Sequence, residues 1–385
     1  MLKSGNSNWR RKKKLGGSGD NRLLRVLHID PERNWGGGEA QVFGLLRHLA
    51  ARGHRNDLFA HPHGLLFQRG TGLKITTHPM VMRNDLDLRC VAALRRAIRE
   101  VGYDIVHFHT KRAHSLALWL QRGGTRPRYV VTRRMDYPEA RSWYTHFLYN
   151  RRVDGVVAIS QAIRDVLIRS GVEKEKIRVI CSGIDPAAFA RVKTAIARPA
   201  GATMVGCLAG LEERKGHRYL FEAAAMLKAE GLNIQYKIGG AGPLRAQLEE
   251  ESVRLGLAGH VHFLGFVSDT AEFFAGIDVL AMPSLYEGLG VVVLEAMAAG
   301  KPVIATRVGG LVESVVDDVT GILVPPRDPA ALAAAIAKFA RSHTLGLSMG
   351  QQGRERVRQE YSLEKMALQN ESYYRALLGD SANLH

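Results

Sequence analysis

Pro283 to Thr306 reads PSLYEGLGVVVLEAMAAGKPVIAT, and its middle, Gly290 to Ala299, has the outline of a short helix. Gly300 and then Pro302 stop it, because glycine accepts the left-handed conformation at a C-terminus and proline cannot continue a helix. Val291 to Leu294 and Ala296 to Ala298 surround a single charge, Glu295. A helix apolar all round is expected to be buried. Glu295 is then a carboxylate on a buried element, costly unless something hydrogen-bonds it. Glu287 precedes it in a turn with Gly288, Leu289 and Gly290, at the helix N-terminus. There the unpaired N–H groups and the positive dipole end suit a phosphate. A core helix with a salt-bridged Glu and an exposed loop Glu explains this stretch equally well by itself; the rest of the chain tips the balance.

Composition narrows the class. The 385 residues, 46% hydrophobic and 24% charged, fit two soluble domains of ordinary size. Cys90, Cys181 and Cys207 are odd in number and far apart, which excludes a disulfide framework or zinc spacing and points to a reducing compartment. The basic N-terminus is followed by no apolar signal segment, and no apolar run is long enough to span a bilayer. The net charge of +17 is uneven: residues 1–200 hold 37 Lys+Arg against 16 Asp+Glu (+21), and residues 201–385 hold 17 against 21 (−4). A basic half joined to a near-neutral half faces something anionic: nucleic acid, a membrane surface or a phosphorylated substrate.

Along the chain, residues 1–21 read as a disordered extension whose cluster Arg10–Lys14 has at most a weak attraction to anionic lipid. Leu23–Asp30 is a strand that runs into Trp35-Gly36-Gly37-Gly38-Glu39 and a helix over Ala40–Arg52. The full dinucleotide spacing is absent, yet three glycines in a row let something approach the backbone. Strands follow at Asp57–Ala60, Lys74–Val81, Asp104–His109, Tyr129–Thr132, Gly155–Ile159 and Ile177–Ile180. Helical patterns lie at Arg89–Val101, Ala113–Gln121, Ala140–Asn150 and Gln161–Ser170. This rhythm predicts an α/β fold with a doubly wound parallel sheet, which binds ligands beyond its strand C-terminal ends.

At one such end stand His107 and His109, on one strand face. A metal pair there lacks an acidic or cysteine partner, so a binding or catalytic His109 competes with satisfied structural histidines. Arg133 and Arg134 end the next strand and predict a cationic mouth. After a linker at 187–202 a second βα series begins, with strands at Met204–Leu208, Ile234–Ile238, Val261–Phe263, Asp278–Ala281 and Val303–Ala305. Helices are read at Tyr219–Glu230 and Leu244–Leu255. Arg214-Lys215-Gly216, the Gly239–Pro243 turn with Gly240, the Gly288–Gly290 turn and Gly309-Gly310 put four glycine turns at strand ends of one sheet, a strong phosphate or nucleotide signal. Ser362–Leu378 is an amphipathic helix of mixed charge that packs as core.

The chain resembles the family 4 glycosyltransferases, the large retaining family of the GT-B fold, in its bacterial cell-surface glycan branch. The likeness runs from Leu23 to Leu378 and rests first on Glu287 and Glu295, which match the family's E-x7-E motif. WGGGEAQ at 35–41, VHFHT at 106–110, AISQAIRDVL at 158–167, CSGID at 181–185, RKG at 214–216, GGAGP at 239–243, Glu313 and Thr320-Gly321 match in order. The resemblance implies two doubly wound Rossmann-like domains facing each other across a cleft. An acceptor domain would span 22–190 and a nucleotide-sugar domain 200–362, with a terminal helix at 363–378 packing back on the first.

It also implies roles. Glu295 would hold the ribose hydroxyls of the donor, and Glu287 the donor sugar near its reacting carbon. Lys215, with Arg214, would neutralise the diphosphate. Gly288, Leu289 and Gly290 would add N–H donors, and Gly37 and Gly38 would approach the diphosphate from the other domain. Gly240, Gly309 and Gly310 would line the same cleft, His109 would lie beside sugar or acceptor, and Arg133 and Arg134 would face the acceptor. Two departures stand out: Gly210 occupies the place of an Arg common in relatives, for which Arg214 would substitute, and Ser182 replaces a common Asn.

The implied reaction is departure of a nucleoside diphosphate from an anomeric carbon, with attack by the acceptor hydroxyl on the leaving-group side and retention of configuration. Fixed cations and N–H groups stabilise the departing phosphate. No cofactor or metal is then needed, and no DxD-type motif stands in the glycine turns. The expected partners are a nucleotide sugar, an anionic glycan or glycolipid acceptor of lipopolysaccharide-core or lipid-linked type, and the anionic inner-membrane surface. The expected location is cytoplasmic or peripheral on that membrane's inner face. Competing readings are a GT-B epimerase or phosphorylase, a non-catalytic relative, and a nucleic-acid binder. The last predicts aromatics interleaved with basic runs, whereas the arginines are scattered over helices.

Overall fold

Short apolar strands, each flanked by a glycine- or serine-rich turn, leave these residues little choice but parallel sheets covered on both faces. The computed structural model describes residues 22–73, 75–120, 127–135, 141–189 and 201–379. The basic cluster Arg10–Lys14 and most of the linker read at 187–202 lie outside the described residues.

The first unit runs β1 (Arg25–Asp30), α1 (Gly37–Ala51), β2 (Arg55–Ala60), α2 (Leu65–Gly72), β3 (Thr76–Pro79), α3 (Leu88–Val101), β4 (Ile105–Phe108) and α4 (Lys111–Ser115). It continues with β5 (Arg128–Arg133), α5 (Trp143–His146), β6 (Gly155–Ala158), α6 (Gln161–Arg169) and β7 (Ile177–Val179). Its seven-stranded parallel sheet has the order β3-β2-β1-β4-β5-β6-β7, so the direction of winding reverses between β1 and β4. The helix expected over Ala113–Gln121 is instead α4 followed by a 3-10 turn, Leu116–Trp119. The one read at Ala140–Asn150 begins as α5 and then widens to a π turn over Phe147–Arg151.

The second unit runs β8 (Thr203–Leu208), α7 (His217–Ala229), β9 (Ile234–Gly239), α8 (Arg245–Arg254), β10 (Val261–Gly265), α9 (Thr270–Ala275) and β11 (Val279–Met282). Next come α10 (Val291–Ala298), β12 (Val303–Thr306), α11 (Leu311–Ser314), β13 (Gly321–Val324), α12 (Pro329–Arg341) and α13 (His343–Glu360). The six-stranded sheet has the order β10-β9-β8-β11-β12-β13 and reverses between β8 and β11. The two reversal points face the same crevice, and ligands favour such points because diverging loops leave a hollow there.

The last helix, α14 (Leu363–Leu378), lies on α1 of the first unit. A Cβ added at Gly44 would collide with Leu363, so the glycine is what admits the helix. Tyr374 is fully buried and Arg52 reaches Glu371 at 2.7 Å. One apolar core continues across both units: Phe189 meets Phe274 edge-on at 6.0 Å.

The helix in the motif stretch differs from expectation. Val293, Leu294, Ala296, Met297 and Ala298 are buried, but Val291, Val292 and Glu295 are only half so. Positions i and i+4 share a helix face, so Glu295 lies on the side of Val291; Val291 and Val292 line the crevice, whereas Glu295 is not among its lining residues and meets Thr270 instead. The helix is open along one edge, contrary to the uniformly buried one its composition implies.

Candidate active site

Between the units lies a cavity of about 730 Å³. Its first wall is the turn Gly36–Gly38 after β1, the stretch His109–Arg112 after β4 and Thr132–Met135 at the end of β5. Its second wall is Leu208–Gly210 after β8, Arg214, Lys215, Glu287 and the start of α10 at Leu289–Val292.

The second wall is assembled from backbone. Leu285 N–H donates to the Arg214 carbonyl at 2.8 Å, and Gly310 N–H to the Glu287 carbonyl at 3.0 Å. These ties hold the RKG turn against the Glu287 turn, and Lys215 Nζ meets Glu287 Oε2 at 2.5 Å. Both side chains are largely shielded, 10% and 14% exposed, so this is a fixed charge pair rather than a surface one. Arg214 lies on the rim, paired with Glu212 at 2.7 Å. α10 starts at Gly290, whose φ of +79° only glycine adopts readily, and no side chain caps it. Its first N–H groups therefore stand at the cavity with the positive end of the helix dipole.

Not every glycine expected at the cleft reaches it. Gly309 and Gly310 stand behind the Glu287 turn, where a Cβ on Gly310 would strike the Gly288 carbonyl. Gly240 packs against the Ala209 carbonyl at φ +135°. Gly288 faces the other unit, and a Cβ there would strike the Arg134 carbonyl. Gly37 and Gly38 do line the cavity, lying 3.5 Å (as a built Cβ) from Val291 and from the Arg134 side chain. Glu295 is hydrogen-bonded to the Thr270 hydroxyl, and burial pushes its carboxyl up to about 7 against that bond. Its partner is thus a neutral hydroxyl and not an arginine.

The first wall corrects the expectation of a cationic mouth. Lys111, Arg112, Arg133 and Arg134 line it, but so do Glu32, Glu39 and Asp85. Arg112 lies 3.7 Å from Asp85, and Glu39 accepts from Gly36 N–H at 2.7 Å, closing the start of α1. Arg133 is buried. Behind the wall Asp30 is buried too, and desolvation, with Glu39 nearby, raises its carboxyl to about 8.

A cluster no spacing announced lies beside this wall. The β1–β4 register sets His28 opposite His107, so His28 joins His107 and His109 in a group whose ring nitrogens lie within 4.8 Å of one another. Three imidazoles have metal-ligating chemistry, but five of their six nitrogens are already hydrogen-bonded. His28 bonds His109 (2.9 Å) and Asn56 (3.3 Å), and His107 bonds Tyr374 (2.6 Å) and Thr132 (2.7 Å). Only His109 Nδ1 lacks a partner. Burial holds all three well below the usual histidine range.

The units are also tied at the rim. Glu313 on α11 accepts from the N–H groups of Gln161 and Ala162, both at 2.8 Å, at the start of α6. A helix N-terminus of one unit is thereby closed by a carboxylate of the other.

Comparison with known proteins accords with this geometry. The profile of the Glycosyltransferase Family 4 matches residues 35–188, and that of Glycosyl transferases group 1 matches residues 190–356. The glycosyltransferase EpsF of Bacillus subtilis is 31% identical over 310 residues, 73% of this chain and 78% of that protein. The lipopolysaccharide core biosynthesis glycosyltransferase LpsE of Rhizobium meliloti is 31% identical over 61% of this chain and 66% of its own length. Among solved structures, Anabaena Alr3699/HepE in complex with UDP and glucose superposes with a TM-score of 0.78 at 22% identity, over 92% of this chain and all of that one. The two parallel sheets, the crevice at both reversal points and these matches together place the chain in the family 4 glycosyltransferases, with the GT-B fold.

Proposed function

We propose that the chain transfers a sugar, with retention of configuration, from a nucleoside-diphosphate sugar to a hydroxyl of a glycan or glycolipid. The observation that carries this reading is the convergence of the Lys215–Glu287 pair, the uncapped start of α10 and the Gly37–Gly38 turn on one cavity. Cation and N–H groups lie where a diphosphate would leave, and charge held in place before reaction stabilises its departure. The C–O bond to the diphosphate breaks with its electrons going to phosphate. The acceptor oxygen bonds the same carbon from the same side and passes its proton to the departing phosphate oxygen. Glu287 would orient the sugar and Glu295 the ribose. This chemistry calls on no metal. That the Anabaena relative was solved with UDP supports a uridine donor.

The basic first unit suits an anionic acceptor of the lipopolysaccharide or lipid-linked class, in keeping with the name of the Rhizobium relative. No described helix is long and apolar enough to cross a membrane. Trp143, 79% exposed, and Tyr144 beside Arg141 form an aromatic and basic patch suited to the anionic inner face of a membrane. Binding to anionic vesicles that falls with salt and weakens in Trp143→Ala is the expected result; salt-independent binding would remove this part. The main test is a calorimetric panel of UDP, GDP and ADP against wild type and Glu295→Ala. One nucleotide should bind the wild type and lose affinity in the variant, whereas binding of none would overturn the reading.

A further inference from the structure

The hydrogen bonds from Asn56 through His28 to His109 have a direction that can be followed atom by atom. Asn56 Nδ2 lies 3.1 Å from the His54 carbonyl, which can only accept. The amide is therefore set with its Oδ1 toward His28 Nε2, 3.3 Å away. An amide oxygen can only accept, so His28 donates from Nε2. Burial keeps His28 neutral, down to about 4, against the opposing pull of the Asn56 hydrogen bond and Asp57. A neutral imidazole carries one proton, so His28 Nδ1 is a bare lone pair. It faces His109 Nε2 at 2.9 Å, which must then donate. His109 is also neutral by burial, and its remaining nitrogen, Nδ1, is a second bare lone pair. That atom is buried without a partner on a residue that lines the cavity.

We propose that Asn56 and His28 are positioning residues that lock His109 as the Nε2–H tautomer, so that its Nδ1 accepts a hydrogen bond from a hydroxyl in the interdomain cavity. The identity of that hydroxyl, on the donor sugar or on the acceptor, rests on the transfer reading above; the tautomer does not. His109 in this state brings no positive charge, so phosphate is not its ligand. The second wall then supplies the cation for the phosphate, and His109 on the first supplies an acceptor for one hydroxyl. A buried acceptor left unmatched is penalised, which makes His109 a specificity determinant against a donor or acceptor lacking that hydroxyl.

The test is a long-range ¹⁵N–¹H correlation spectrum of the full chain labelled at histidine, with His109 assigned by its loss in His109→Gln. At neutral pH and without nucleotide, His109 Nδ1 should resonate as an unprotonated nitrogen and Nε2 as a protonated one. An Nδ1–H tautomer or an imidazolium would overturn the proposal. Asn56→Asp supplies a second arm. Its carboxylate would hold His28 as the cation, whose Nδ1–H then donates to His109 and forces the proton of His109 onto Nδ1. Reversal of the His109 pattern is expected, and an unchanged pattern would break the relay. Because a hydroxyl can accept from Nδ1–H as well as donate to a bare Nδ1, the affinity arm uses His109→Ala, in which UDP affinity should stay as in wild type while UDP-glucose affinity falls about fivefold, the loss of one hydrogen bond. Equal losses for both would show that phosphate is the ligand after all. Failure of wild type to bind UDP would count against the transfer reading and leave the spectrum to decide the tautomer.

Discussion

The two walls of the crevice do different work with different materials. The second is a charge device: a shielded Lys215–Glu287 pair and the open start of α10, set by two strand-end turns that are each local but lie 72 residues apart in the chain. The first is a direction device, in which neutral histidines on β1 and just past the end of β4 and an asparagine from β2 pass a proton pattern to the cavity. Charge attracts a diphosphate from any angle, whereas a lone pair accepts only from a suitably placed hydroxyl. A transferase needs both, because it must stabilise a leaving group and also place a sugar.

The largest expected effect falls on the second wall. Lys215→Ala removes the cation nearest the proposed phosphate position and leaves Glu287 without its ammonium partner. Transfer should drop roughly 10²–10³-fold, as when one preorganised stabilising group is removed. Nucleoside diphosphate affinity should fall more than nucleoside affinity. His109→Gln should leave diphosphate affinity unchanged. If both variants weakened diphosphate binding alike, the division between walls would be lost.

Next in size is the contact between the walls. Gly288→Ala would push a methyl group into the Arg134 carbonyl, and relief requires the units to part. The cost is roughly 1–3 kcal/mol, typical of overpacking. A lower melting temperature and a larger radius of gyration by X-ray scattering check it, and an unchanged radius would show that the loop, not the domain arrangement, gives way.

The same contrast explains what could be read from the chain. Glu287, the Gly288–Gly290 turn, α10 and the RKG turn were visible because each belongs to one local strand–turn–helix unit with its own stop signals, such as Gly300 at φ +73°. His28 and Asn56 were not, because their meaning depends on the register of β1 with β4 and on a side-chain amide from β2. Thr270, the partner of Glu295, sits on a six-residue helix that no periodicity could reveal. β13 has four residues and α2 is broken by glycines, so both fall below what a pattern can signal, while α12 and α13 went unread. The mixed charge of the first wall escaped because a net charge summed over half the chain, and two arginines at one strand end, do not say which acids folding brings to the same place; Glu32, Glu39 and Asp85 are those acids.

A smaller effect probes the partly exposed edge of α10. Glu295 has its carboxyl raised from 4.5 to about 7, chiefly by burial. The folded protein thus holds this proton more tightly than the unfolded chain. The stability that this gives is present below pH 4.5 and is lost as pH rises toward 7. Relative to wild type, Glu295→Gln should gain on the order of 2 kcal/mol across that window in urea melts. A ribose whose hydroxyls donate to the ionised acid reverses the preference, so nucleotide binding to wild type should tighten as pH rises through 7 and release a proton. Binding independent of pH in this range would mean that Glu295 is not the ribose ligand.

The least costly change tests whether the walls are held together from outside the cavity. Glu313 closes the N-terminus of α6 by accepting from Gln161 and Ala162, and its own backbone carbonyl is gripped by Arg356 and Tyr361 from α13 and the residue after it. The bond is charge-assisted but Gln161 is exposed, so water competes and the net value of the contact is about 1 kcal/mol. Glu313→Ala should lower the melting temperature by a few degrees at most. Its larger consequence should be a shift of the population toward parted units, because this clamp joins elements of different units while leaving each unit's core untouched. Glu313→Gln keeps an accepting oxygen and should recover part of the loss. Scattering profiles of the two variants, with and without nucleotide, separate the possibilities. If the alanine variant matches wild type in both states, then the Gly288–Arg134 contact and the shared core hold the crevice closed without help from the rim.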